Sequence, residues 1–352
     1  MRGRDMVWRV ILSTIIGKEE ASQYEVLKVS NSGVSGTCVV IVADRRTGKR
    51  YAVKYGESKV PLTEQAQNTR RMAELFEDVR IPRIVLCSPQ LLMMDAVEGE
   101  TLQETVVKGI YPATSLIKIF EAILRAFTAV WKKTAQPYDA GVELRRDPKG
   151  RIERICSSLC EHVCVDLSLC SFRETPLYVN GVRCGELGTM FQELTTGYKP
   201  PRNIVECHGD PNADNIMIDS HKDWWLIDME WAGLHDWRIM MSQLIGWWIS
   251  NATYLTNGTP TCRVRNNRIE LDYRISMHPV AQMLMEIAWR YAAEVAQSLG
   301  EVDWERQIQY QLGTLLLSHV RFAEQRNRSE YRLVLLGEAF KFLNRDACLS
   351  RP

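Results

Sequence analysis

The chain has 352 residues, 44 of them basic and 43 acidic, for a net charge of +1; 45% are hydrophobic and 25% charged. This is an ordinary globular composition with length enough for two or more folding units and a large buried core. A charge so near zero, with no basic stripe, argues against a nucleic-acid binder, and the missing acidic excess removes one sign of a polycationic substrate.

The N-terminal stretch MRGRDMVWRVILSTIIGKEE carries a short apolar run, has Asp5 among its basic residues and shows no small-residue cleavage site. It does not read as a signal peptide. No apolar run approaches the roughly 20 residues that a membrane span needs. Ten cysteines are scattered with no C-x-x-C pair, which suits free thiols in a reducing cytosol. The expected location is cytoplasmic, and the three Asn-x-Ser/Thr triplets at Asn251, Asn257 and Asn327 read as chance.

From Tyr24 to Val29, Thr37 to Ala43 and Arg50 to Tyr55 the chain alternates and is rich in Val, Tyr, Ile and Thr, so three strands are predicted, with Asp44–Gly48 as a hairpin turn. A polar helix is expected from about Leu62 to Glu77, then strands at Arg83–Leu86 and Leu91–Asp95. From Tyr111 the period becomes helical, with Leu116, Ile119, Phe120, Ile123, Phe127, Val130 and Trp131 on one face. Further helices are predicted at 237–250, 279–299, 303–325 and 332–344, and short hairpins at 215–228 and 261–273. Residues 140–198 hold five of the ten cysteines and read as an irregular insertion.

The most specific signal is Cys207-His208-Gly209-Asp210-Pro211-Asn212-Ala213-Asp214-Asn215, an H-x-D-x-x-x-x-N pattern, followed by Asp228 in Leu226-Ile227-Asp228-Met229-Glu230. Phosphoryl transfer asks for positioning and charge neutralisation more than covalent chemistry. Asp210 fits a carboxylate that orients an attacking hydroxyl and takes its proton. Magnesium prefers oxygen donors and takes only one or two carboxylates from a protein, and Asn215 and Asp228 offer such oxygens. His208 reads as a loop brace. Taken singly, Asp210 or Asp228 is an ordinary turn residue.

His208 to Asn215 with Asp228 resemble the catalytic loop and metal-binding Asp of the aminoglycoside phosphotransferase and choline kinase superfamily, whose members share the protein kinase-like fold. The H-G-D form, with Asn215-Ile216-Met217 after it, is similar to the small-molecule branch, and Ala232–Trp237 resembles the family's following segment, which makes Asp236 its second, structural Asp. The resemblance implies an α+β, bilobal fold: a small β-rich lobe at 1–96, a hinge at 97–103 and a larger, mostly helical lobe at 104–352. Tyr51-Ala52-Val53-Lys54 resembles the strand with the ATP-binding lysine. Asn31–Gly36 stands in the place of the phosphate-covering loop, with Gly33 and Gly36 kept and Asn31 at the first glycine's place. Glu64 is the chosen carboxylate partner of Lys54, with Glu74 the alternative. Leu91–Leu102 looks like the hinge, where the backbone of Asp95 and Val97 would bond the adenine.

What the resemblance implies is transfer of phosphate from ATP, or GTP, with Mg2+, to a hydroxyl of a small molecule: an antibiotic or related amino-sugar or nucleoside first, then a metabolic alcohol of the choline, ethanolamine or homoserine type. A catalytically inactive, kinase-like binding protein is the other class; it predicts loss of Lys54, Asp210, Asn215 or Asp228, and all are present. Three further features invite attention: Cys156, Cys160 and Cys164 on one helical face, beside His162 and Cys170, which read as packing more than zinc; Trp224, Trp225, Trp231, Trp247 and Trp248, which read as core more than a cation cage; and Arg263, Arg265 and Arg268, which read as a solvated hairpin.

Overall fold

The structure is a computed structural model, which describes residues 8, 13, 14, 16–30, 37–142, 144, 145, 152, 153, 155, 174–250, 255, 256, 260–265, 268–325 and 331–344. The chain divides into two compact units. The first joins Met1–Leu102 to His208–Asp210 and Asp214–Ala232; the second takes Gln103–Cys207, Pro211–Ala213 and Gly233–Pro352.

The first unit is built on an antiparallel sheet of β1 (Tyr24–Ser30), β2 (Cys38–Asp44), β3 (Arg50–Tyr55), β4 (Ile84–Ser88) and β5 (Leu91–Asp95), in the order β1-β2-β3-β5-β4. These are the five strands that alternation predicts. Asp44 closes the turn between β2 and β3, its Oδ1 accepting from the amides of Arg46 at 2.7 Å and Thr47 at 3.1 Å. Because successive side chains point to opposite faces, the sheet has two cores. Val40, Val42, Val53, Leu91 and Met93 pack on one face with Trp8 and Ala21. On the other, Leu92 packs with Leu62 and Ala66 of the helix Leu62–Leu75. Lys54 stands opposite Leu92 in the β3–β5 register, so its side chain rises on the helix-covered face.

A second sheet of the same unit, in the order β12-β11-β6, pairs β6 (Gly99–Thr101) with the hairpin β11 (Ile216–Asp219) and β12 (Trp224–Leu226). The expected hairpin is there; β6, three residues long, falls within the segment read as a hinge. Gly99 lies against the backbone of Ile218 so closely that a Cβ would collide with the Ile218 carbonyl. Sequence periodicity has no grip on so short a strand, whose partner lies far along the chain.

The second unit is mostly helical. The helix Ala113–Thr134 buries Leu116, Ile119, Phe120, Ile123, Phe127, Val130 and Trp131, the face that the sequence predicts. Pro279–Leu299 packs on this helix and on Trp237–Ser250, and Trp304–Gln325 packs on Trp237–Ser250 and Tyr331–Leu343. Trp237–Ser250 is buried nearly all round, as befits a central helix. Two sheets complete this core: β7 (Gln136–Pro137), β10 (Asn203–Cys207) and β13 (Gly233–His235), and a four-stranded one of β8 (Pro176–Val179), β9 (Val182–Glu186), β15 (Thr261–Arg265) and β16 (Arg268–Asp272), with β8 and β16 parallel. The short pair β14 (Leu255–Thr256) and β17 (Ile275–Ser276) lies apart from them.

The segment read as irregular therefore holds regular structure at its end: β8, β9 and the helix Leu187–Thr196. The signal was present. Asn180-Gly181 between alternating apolar residues is a strong short-range hairpin sign, and both residues have positive φ. Among the described residues no helix is long and apolar enough to cross a membrane.

Candidate active site

Lys54 is only 6% exposed, and a buried ammonium needs partners. It has three. Its Nζ donates to Gln65 Oε1 at 2.8 Å, to Asp228 Oδ1 at 2.9 Å and to Glu230 Oε2 at 3.5 Å. The structure thus brings Gln65, not Glu64, to Lys54. Neighbouring helix residues are turned by about 100° from one another, and the face of this helix that meets the sheet carries Leu62, Gln65, Ala66, Thr69 and Met72, all buried. Glu64 lies beside that stripe and is half-exposed, and Glu74 is exposed. A polar residue inside an apolar stripe was the available sign for Gln65.

Asp210 follows two residues that fix its backbone. Gly209 has φ +88°, and a Cβ there would run into the carbonyl and Cβ of Trp231. His208, 1% exposed, places Nε2 2.8 Å from the Ile227 carbonyl, while its Nδ1 accepts the Asp210 amide at 3.2 Å. A carbonyl can only accept and an amide N–H can only donate, so the ring proton belongs on Nε2. His208 is a brace, as its sequence context indicates.

Ile227 is the tie between the loop and the hairpin. Its carbonyl takes the His208 bond and its amide donates to the Asn215 carbonyl at 3.0 Å. Asn215 Nδ2 donates to the Asp210 carbonyl at 2.9 Å, which turns Oδ1 to the other side of the amide. One residue, the neighbour of Asp228, therefore links the start of the loop to its end. Asp228 itself is left-handed, at φ 61° and ψ 64°, a conformation that Asp tolerates better than most residues. Its side chain is 41% exposed, and Met229–Trp231 after it form a single 3-10 turn.

That turn carries Glu230, which the sequence reading quoted but gave no role. Glu230 is 4% exposed. Burial pushes its carboxyl up from the ordinary value, the Asp228 carboxylate adds to this, and Lys54 pulls the other way. Ser58 Oγ lies 3.4 Å from Glu230 Oε1 and accepts Gln65 Nε2 at 2.9 Å. A small cavity opens beside Lys54, bordered by Gln65, Thr69, Leu92, Met94 and Asp228.

At the expected hinge, the Asp95 amide donates to the Arg83 carbonyl at 3.0 Å and the Ala96 amide to the Arg50 carbonyl at 3.1 Å. The Asp95 carboxylate pairs with Lys49 at 2.8 Å. Of the two residues named for adenine, Asp95 thus has its amide spent within the sheet; Val97 follows at the end of this run. Gly33 and Gly36, and the thiols Cys156, Cys160, Cys164 and Cys170 with His162, lie outside the described residues.

In the second unit, Asp236 is wholly buried and clasps Arg238 through both oxygens, each at 2.8 Å. Burial works against the Arg238 charge, and Asp236 more than restores it. Trp248 is buried, and Trp247 Nε1 donates to Gln103 Oε1 at 2.6 Å. Arg268 pairs with Glu270 and lies over the Tyr178 ring. Among the described residues no group of three or more His, Cys, Asp or Glu could hold a metal.

No family model matches the sequence, and no curated protein matches it. Solved structures do match the fold. Aminoglycoside phosphotransferase APH(4)-Ia is 12% identical and superposes with a TM-score of 0.54 over 96% of this chain and 98% of its own. Choline kinase from Cryptosporidium parvum Iowa II is 12% identical, with a TM-score of 0.52 over 96% of this chain and 94% of its own. The chain has the fold that these two kinases share.

Proposed function

We propose that this chain, built on the fold of aminoglycoside phosphotransferases and choline kinase, is a small-molecule kinase that moves the γ-phosphoryl group of ATP, or GTP, onto a hydroxyl. The observation that carries the reading is the bond from Lys54 to Asp228, with Asp228 tied through Ile227 to Asn215 and His208. A strand lysine, a metal-type Asp and an H-x-D-x-x-x-x-N loop have no structural need to meet, but phosphoryl transfer needs all three together.

In this reading Asp210 faces the acceptor, orients its hydroxyl and takes its proton as the oxygen attacks the γ-phosphorus. The bond to the β–γ bridging oxygen breaks, and ADP leaves with that electron pair. Lys54 holds the nucleotide phosphates. Residues 31–36, with Gly33 and Gly36, cover them, and residues 97–103 are the hinge, with Val97 and the Asp95 carbonyl toward the adenine. The donor set suits magnesium: Asp228 offers a carboxylate and Asn215 an amide oxygen, hard ligands and few of them. When bound there, the ion would neutralise charge that develops on the phosphates.

The acceptor is read as an antibiotic or a related amino-sugar or nucleoside. A metabolic alcohol is the second reading, supported by the likeness to choline kinase at the same 12% identity. No nucleic-acid or membrane partner is part of this reading, and the location is cytoplasmic. ADP release with Mg-ATP over a panel of aminoglycosides, nucleosides, choline, ethanolamine and homoserine tests it. Acceptor-dependent release with one class supports it. Nucleotide binding without release from any acceptor favours the inactive, binding-only form.

A further inference from the structure

We propose that Lys54 takes its positioning carboxylate from Glu230, in the turn after the metal-type Asp, and not from the helix behind it. The inference rests on the kinase reading for its meaning, but its geometry stands alone. Lys54, Gln65, Ser58 and Glu230 close a ring of hydrogen bonds: Lys54 to Gln65 at 2.8 Å, Gln65 to Ser58 at 2.9 Å, Ser58 with Glu230 at 3.4 Å, and Lys54 to Glu230 at 3.5 Å.

The chemistry of each member says why the carboxylate belongs at 230. Gln65 Nε2 also donates to the Val60 carbonyl at 2.8 Å. A carbonyl cannot donate, so position 65 must supply a hydrogen there, which a carboxylate lacks when ionised. The amide is thereby fixed at both ends, with Oε1 aimed at Lys54. It brings no charge, and a buried ammonium is costly without a countercharge. Asp228 gives one, but its side chain is 41% exposed and is the one assigned to magnesium. If Asp228 held the ion, Glu230, with a side chain 5% exposed, would be the buried countercharge left to Lys54, and the lysine's position would follow the turn Met229–Trp231.

Glu230→Gln, Glu64→Gln and the charge-keeping Glu230→Asp test this in the full chain. Two readouts are taken: the rate at which formaldehyde and cyanoborohydride methylate Lys54, followed by peptide mass spectrometry, and the KM for ATP against kcat. Removing one charge-assisted bond should raise the KM for ATP roughly tenfold and speed Lys54 methylation in Glu230→Gln. Glu64→Gln should match the wild type in both, and Glu230→Asp, which keeps the charge, should recover part of each loss, which a merely structural role would not produce. Unchanged methylation and KM in Glu230→Gln, or losses in Glu64→Gln instead, would overturn the assignment. If the wild type shows no nucleotide-dependent turnover, the kinase reading fails, while the methylation rates still decide which carboxylate holds Lys54.

Discussion

Lys54 Nζ lies 2.9 Å from Asp228 Oδ1, a bond between residues 174 positions apart. The sheet sets one end and the hairpin β11–β12 the other. Both belong to the same compact unit, so the pairing is part of that unit's own packing.

The first prediction follows from this bond. Asp228→Asn keeps the shape and an acceptor for Lys54 but removes the charge. The proposed role predicts a fall in kcat of about 10²-fold or more. Because the side chain is 41% exposed, the melting temperature should move little. Steady-state kinetics beside a thermal melt separates the two effects.

Gly209 offers a second test. Alanine there would need φ near +88° and would strike the Trp231 backbone. Relief must come from the loop, and Asp210 is the next residue. The strain should lower stability by about 1–3 kcal/mol, and displacement of Asp210 by about 1 Å should lower kcat on the order of 10²-fold. Denaturant unfolding and turnover of Gly209→Ala measure both.

Asp236→Ala should act on stability. It leaves Arg238 buried and stripped of its two carboxylate bonds. Breaking such a pair costs about 3–5 kcal/mol. A urea titration gives the number; a change under 1 kcal/mol would mean that other groups carry the Arg238 charge.

Cys207 gives a pH prediction. Full burial, and then the negative charges of Glu206 and Asp236, push its thiol well above the ordinary 9.0. The folded thiol keeps its proton where the unfolded one ionises. Its contribution to stability is therefore whole below about pH 9 and declines as pH rises beyond that value. Iodoacetamide at pH 8 should spare Cys207 in the native protein and label it after denaturation. Cys207→Ala should lose less stability than the wild type between pH 8 and 10.

Much of the candidate site is local in sequence, so a pattern could propose it. His208 to Asn215 is one loop, Asp228 closes the next hairpin, and a strand lysine needs only period-two alternation to be placed. What was not legible depends on how a helix docks. Spacing puts Glu64, Gln65 and Glu74 on the helix, but which of them meets Lys54 is set by the rotation that buries Leu62, Ala66 and Met72. Glu230 turns inward because Asp228 is left-handed and a 3-10 turn follows, and no local pattern announces that. The hairpin β8–β9 had its sign in Asn180-Gly181, overshadowed by the cysteine-rich stretch before it. Strand β6 had none, since its pairing with β11 spans more than a hundred residues.

The most direct measurement compares the wild type with Asp210→Asn under Mg-ATP, following thermal shift and acceptor-dependent ADP release. A ligand that binds only the native state must raise the melting temperature. The account predicts that ATP stabilises both proteins and that only the wild type releases ADP, in proportion to one class of hydroxyl acceptor. No stabilisation at millimolar nucleotide, or equal release from Asp210→Asn, would contradict it.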